Sequence, residues 1–354
     1  MDKKMLDLYS DFLIFNQGQA SATTLASLLD DVISHDTVTR FLAGPEFDSK
    51  ALWKEVKNVV RTVEKEDGVL VFDDTVEEKE YSDESDLISW HYSHAQGKVV
   101  KGLNLLTALA VYDEAAIPVA FELIKKPVVM CDLATRKEVR KSPHTKNEMM
   151  REMLGVCLKN IKFKYILADI WFNSNENLKT IHQSKKLFII GCKSNRKIAM
   201  SIDDKKHGIW TKISEIALES EEVKIVYFEG IDFPLSLTKK VFKNKDDSTG
   251  TLYLVSNEIG PSGTCLYEIY KKRWKVEEYH KSLKSNVSLK KSPARAIRTQ
   301  SNHVFSSIMG FIKLETMKIK THMNHFAMIR KMYFKANLAA MNELTRMKKM
   351  YLPA

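Results

Sequence analysis

The stretch GVLVFDDT, residues 68–75, decides how the rest of the chain is read. It is a short valine-rich apolar run that ends abruptly in two aspartates. A strand buried on both faces has this texture, and its polar end marks where the sheet meets a site. Outward from it, LNLLTALAVY (103–112), the turn DEAA and IPVAFELIKK (117–126) read as a β-hairpin beside that strand. A helix is expected from about Lys146 to Asn160, opened by a capping box of Thr145 with Glu148. KYILADI (164–170) is a second strand ending in an aspartate, followed by a helix near 174–185 and the strand LFIIGCKS (187–194). Three strands in meander and then alternating helix and strand make a mixed α/β sheet.

The flanks differ in kind. Residues 1–66 read as helical. Ser21 and Ser34 are placed to cap two short helices, ending near Leu29 and before Gly44. Joined so tightly, they form either a helix-turn-helix or a plain helical hairpin. In the first case His35, Thr37, Thr39 and Arg40 are candidate DNA contacts. Trp53, Val56, Val60 and Val63 make an apolar stripe on a third helix. Residues 200–262 are β-rich and read as an insertion, a basic helix opens near Thr264, and the chain is helical from Arg295 on. The expected division is thus 1–66 helical, 67–199 core, 200–262 insertion, 263–300 second part of the core and 301–354 helical tail.

Composition narrows the function. The 354 residues carry a net charge of +10 and a pI near 9.1, which favours polyanionic partners, nucleic acid first. The four cysteines (Cys131, Cys157, Cys192, Cys265) form no C-x-x-C pair, which fits a reducing compartment and points to the cytoplasm. No apolar run reaches the length of about 18 residues that suggests a membrane span.

Asp74 and Asp169 each close a strand, where α/β sheets gather ligands, although an aspartate there is more often a cap or turn residue. A third carboxylate comes from YKKRWKVEEYHKSLK (270–284), which holds six Lys or Arg around Glu277 and Glu278. On one continuous helix, Tyr270, Arg273, Glu277 and Lys284 fall within a sector of about 60°, with Glu278 off that line. A carboxylate flanked by cations suits phosphodiester chemistry. An exposed helix laced with ion pairs gives the same spacing.

Tyr270, Arg273, Glu277 and Lys284 also fit Y-x2-R-x3-E-x6-K, and with VLVFDDT and YILADIWF the chain resembles, over about 68–300, the bacterial insertion-sequence DDE transposases of the YREK-signature group. The resemblance implies a ribonuclease-H-like fold in which Asp74, Asp169 and Glu277 hold two Mg²⁺ ions, with Mn²⁺ as a substitute. Asp74 is preferred because it precedes Thr75; Asp73 is the alternative, since neighbours on a strand face opposite ways. Tyr270, Arg273 and Lys284 would grip DNA at the transposon end. Trp274 would either stack on a displaced base or pack into the core. The implied partners are double-stranded DNA, at transposon ends and target, and a second copy of the chain in the DNA complex. A nuclease that cuts without joining would use the same three carboxylates, whereas in a catalytically inactive DNA-binding protein at least one of Asp74, Asp169 and Glu277 would fail to converge.

Three further features are set aside. His91 and His94, in WHYSHAQGK, are read as a loop and not a zinc site. The segment 271–298, with ten basic and two acidic residues, is a plausible DNA track. Met323, Met328, Met332 and the later methionines are read as helix packing.

Overall fold

The computed structural model describes residues 2–93, 97–243 and 246–352. It comprises two compact units, Asp48–Glu278 and the combination of Met1–Phe47 with Tyr279–Ala354. The chain opens with α1 (Lys3–Phe15), α2 (Ala22–Leu28) and α3 (His35–Leu42). Ser21 and Ser34 cap α2 and α3 through the amides of Thr24 and Thr37, as their positions suggest.

The larger unit begins with α4 (Ser49–Val63), which buries Leu52, Val56 and Val60. The Ser49 hydroxyl both donates to the Phe121 carbonyl (2.7 Å) and accepts from the Phe121 amide (2.8 Å). There follow β1 (Val69–Glu78), β2 (Ser89–Ser93), β3 (Lys98–Tyr112), β4 (Ala115–Leu123), β5 (Val128–Asp132) and β6 (Lys137–Lys141). The β3–β4 turn needs a left-handed residue, which Asp113 supplies at φ 49°. Then come α5 (Lys146–Asn160), β7 (Tyr165–Ala168), α6 (Asn175–Gln183) and β8 (Leu187–Cys192). The Thr145–Glu148 capping box at α5 is formed in both directions.

β1 pairs antiparallel with β3, β3 with β4, β1 parallel with β7, and β7 parallel with β8. The spatial order β4-β3-β1-β7-β8, an antiparallel meander continued by two parallel strands, is the ribonuclease-H-like arrangement. The core runs through the central strands: Val69 to Phe72 and Ile166 to Ala168 are at most 1% exposed.

The β-rich stretch contributes β9 (Lys197–Ala199), α7 (Ile202–Lys206), β10 (Thr211–Lys212), β11 (Val223–Phe228), β12 (Leu235–Lys243) and β13 (Thr249–Ser256). Its strands do not form a separate sheet. β13 pairs with β8 from Tyr253↔Cys192 to Ser256↔Ile189, so they extend the central one. The sequence shows strands here but carries no local signal for this edge. The unit closes with α8 (Gly263–Lys271), capped by Ser262, and the boundary between the units falls within α9 (Trp274–Asn286).

In the smaller unit, α10 (Ile297–Thr321) and α11 (His325–Tyr351) follow. Tyr9, Phe12, Leu13, Leu25, Val38 and Leu42 form an apolar cluster, beside which the Tyr9 hydroxyl meets His303 Nδ1 at 3.0 Å. Asn302 receives the Phe47 amide and donates to the Leu42 carbonyl, tying α10 to the end of α3. Met328 is buried as expected, whereas Met341, Met347 and Met350 are exposed on α11. Among the described residues no helix is long and apolar enough to cross a membrane.

Candidate active site

The strand alternation of β1 places Val69, Val71, Asp73 and Thr75 on one face and Leu70, Phe72 and Asp74 on the other. β1 and β7 run parallel and in register from Val69↔Tyr165 to Phe72↔Ala168. The next residues, Asp73 and Asp169, therefore emerge side by side on the same face. Asp74 leaves from the opposite face, where Lys146 at the start of α5 donates to its carboxylate at 2.7 Å. The structure thus brings Asp73 to Asp169, and the Asp74 of the sequence reading to a lysine.

Directly after Asp169 the backbone turns through a 3₁₀ segment, Ile170–Phe172, capped by the Asp169 carboxylate, which accepts from the Trp171 amide at 2.9 Å. This turn lies against Gly191 on β8. A Cβ there would sit 2.7 Å from the Ile170 side chain and 3.1 Å from its amide nitrogen, so glycine is required for the close approach.

Glu277 arrives from the helix side. The segment 270–284 is not one helix: α8 ends at Lys271 and α9 starts at Trp274. Across the join the amides of Arg273 and Val276 bond to carbonyls three residues back, at 2.9 and 3.0 Å. Tighter winding of this kind brings residues three apart into line. Tyr270 and Arg273 consequently face the sheet together. Tyr270 is buried, and its phenol donates to the Ala168 carbonyl at 3.4 Å. Burial pushes that phenol up to about 12.

The Arg273 guanidinium is the hinge of the constellation. Its Nη1 lies 3.2 Å from Asp73 and 3.4 Å from Glu277, with only 13% of the side chain exposed. Oxygens of Asp73 and Glu277 lie within 4.8 Å of each other. Burial pushes the Asp73 carboxyl up to about 8; Arg273 opposes the rise, while Asp169, Glu277 and Asp74 add to it. Arg273 Nε is buried without a hydrogen-bond partner among the described residues, so this cation is only partly satisfied by the carboxylates around it.

Such a set fits a hard divalent ion. Its donors are carboxylate oxygens, and one of them, Asp73, is held back from ionising first by its burial and then by the neighbouring carboxylates. Glu278 stands outside, exposed and 3.3 Å from Lys275. Lys284 lies two turns further along α9, half-buried, and Trp274 is 59% exposed beneath the Arg273 guanidinium, which sits 5.6 Å from its ring. Arg40 is exposed on α3. His91 is in β2, not a loop. It is buried against Ser89 (3.0 Å) and held neutral by burial, which lowers it to about 3. His94 lies outside the described residues.

Comparison with known proteins places the chain in a family. The family described as DDE superfamily endonuclease matches residues 1–205, and that described as Transposase DDE domain matches residues 120–310. The chain belongs to the DDE superfamily. Among solved structures, the DDE chain is similar to the Drosophila P element transposase strand transfer complex at 12% identity and a TM-score of 0.26, over 57% of this chain and 49% of that one. It thus spans about half the length of that relative. No curated protein matches it.

Sequence reading missed Lys146 in this DDE chain, because it is 72 residues from the Asp74 it neutralises. The one available hint was its place in the first turn of a well-capped helix.

Proposed function

We propose that the chain is a DDE-type DNA transposase that binds the terminal repeats of an insertion sequence and carries out metal-dependent cleavage and strand transfer in the cytoplasm. The observation that carries this reading is the approach of Asp73, Asp169 and Glu277 from two in-register parallel strands and one helix, in a chain of the DDE superfamily. Asp73 takes the place first given to Asp74, and these three residues would hold the Mg²⁺ or Mn²⁺ ions. Divalent ions bound there supply the positive charge that activates an attacking water or DNA 3′-OH and stabilises the leaving oxygen.

The remaining roles belong to the protein. Arg273 holds Asp73 and Glu277 in place, and Tyr270 anchors the helix join to β7. Lys146 neutralises Asp74, keeping a fourth negative charge from the cluster. Lys284, Trp274 and Arg40 are the proposed DNA contacts, with two copies of the chain acting on paired ends.

The test combines the protein, Mg²⁺, a duplex ending in the element's terminal repeat and a target plasmid. Joined products support transposition, whereas cut ends without joining would leave a metal-dependent nuclease. Neither cutting nor joining would leave a DNA-binding protein without activity.

A further inference from the structure

β5 and β6 form a two-stranded sheet of their own, paired from Val128↔Lys141 to Asp132↔Lys137 and joined to no other strand among the described residues. An isolated ribbon of this size is marginally stable in water, and its base is tied down. Arg140 reaches Asp86 at 2.8 Å and Glu84 at 3.6 Å, and the Lys126 amide donates to the Asp86 carbonyl at 2.7 Å. Beyond that base both strands are largely exposed.

The exposed part has a definite chemistry. Residues that pair directly share a face, so Val128, Met130 and Val139 lie together with Lys137 and Lys141, and Asp132 stands opposite Lys137 on the same face. Val128 is 45% and Met130 40% exposed. At the tip stand Leu133, 90% exposed, and Arg136, held in a left-handed conformation at φ 55°. Over 125–141 there are six Lys or Arg against Asp132 and Glu138. This excess disfavours docking onto a second copy of a chain that already carries +10, and favours a polyanion.

We propose that this ribbon is a DNA arm that lies along the minor groove of a duplex, with Arg136, Lys137 and Lys141 on phosphates and Leu133 wedged against a base step. The inference rests on the reading of the chain as a DNA-processing enzyme. Strands of five residues span about 17 Å, the length of about five base pairs. The ribbon offers no asparagine or glutamine to read base edges. Cations with an apolar tip are the equipment of proteins that grip the backbone and unstack a step. Only four residues separate β6 from Lys146, the partner of Asp74, so the arm is rooted close to the end of β1 that carries the two aspartates.

The test uses the full chain and a short mixed-sequence duplex carrying 2-aminopurine. The variant Arg136→Ala/Lys137→Ala/Lys141→Ala should lower the salt dependence of duplex affinity, the slope of log K against log salt, by about 2–3. A variant with Arg136→Lys, Lys137→Arg and Lys141→Arg should keep the slope. Leu133→Ala should leave the slope alone and abolish the 2-aminopurine fluorescence rise seen with the wild-type chain. All these positions are exposed, and unchanged thermal midpoints would confirm intact folding. Wild-type slope in the triple alanine variant, or a fluorescence rise that survives Leu133→Ala, would overturn the arm while leaving the proposed chemistry standing. If the wild-type chain binds no duplex, both readings fall; Mg²⁺-dependent plasmid cleavage, measured separately, tests the chemistry alone.

Discussion

Replacing Asp73 by Asn should stabilise the metal-free protein at alkaline pH while abolishing cleavage. An aspartate in an unfolded chain titrates near 3.9, and in the folded chain burial and neighbouring carboxylates push Asp73 up to about 8. The folded state therefore binds the proton more tightly, and stability falls as pH rises from about 4 to about 8. At about 1.4 kcal/mol per pH unit, the full penalty is on the order of 5 kcal/mol by pH 8. Asparagine removes it but weakens the Arg273 contact, which returns roughly 1–2 kcal/mol. The net gain is roughly 3 kcal/mol, a rise of roughly 6–12 °C in melting temperature. The assay is thermal unfolding in EDTA from pH 5 to 9, repeated with Mg²⁺ or Mn²⁺. Wild type should gain stability from the ions and the Asn variant should gain less. Asp74→Asn should do the reverse in EDTA: it strips Lys146 of a partner at 2.7 Å and should destabilise. An Asp73→Asn curve parallel to wild type across pH, or a gain confined to Asp74→Asn, would refute the assignment of Asp73 to the carboxylate cluster.

Other outcomes follow from the same geometry. Glu277→Gln should reduce cleavage at least a thousandfold with end binding retained in a gel-shift assay, whereas Glu278→Gln should change cleavage less than twofold (about 0.4 kcal/mol). Equal loss in both would contradict their different surroundings. Lys284→Ala should lower the salt slope of DNA binding by about 0.9 if it meets one phosphate, read by fluorescence anisotropy across a salt series. Asn302→Ala should cost roughly 2–4 kcal/mol in denaturant unfolding, because it leaves the Phe47 amide and the Leu42 carbonyl without their partner inside the smaller unit; a loss below about 0.5 kcal/mol would show that other groups or water replace it.

Much of this protein is written locally and can be read without tertiary information. The caps Ser21, Ser34 and Thr145 with Glu148 mark helix starts, because an N-cap satisfies amides within three residues of itself. The β1 and β7 strands announce themselves by apolar runs ending in aspartate. The β5–β6 ribbon escaped notice because a sheet exposed on both faces has no buried face to impose alternation. The break at Lys272–Arg273 carries no glycine or proline. It accompanies the contacts of Tyr270 with Ala168 and of Arg273 with Asp73, both far away in sequence.

The pair Asp73–Asp74 draws the line most sharply. Sequence alone determined that the two aspartates face opposite sides of a strand, because the side-chain period of β structure is two. Which side meets Asp169 was decided by the parallel register of β1 on β7, and which side meets Glu277 by the placement of α9 over that face. Lys146 joined the opposite side from α5. Register and helix placement depend on burying apolar surface contributed by distant segments. No window of sequence around FDDT contains that information.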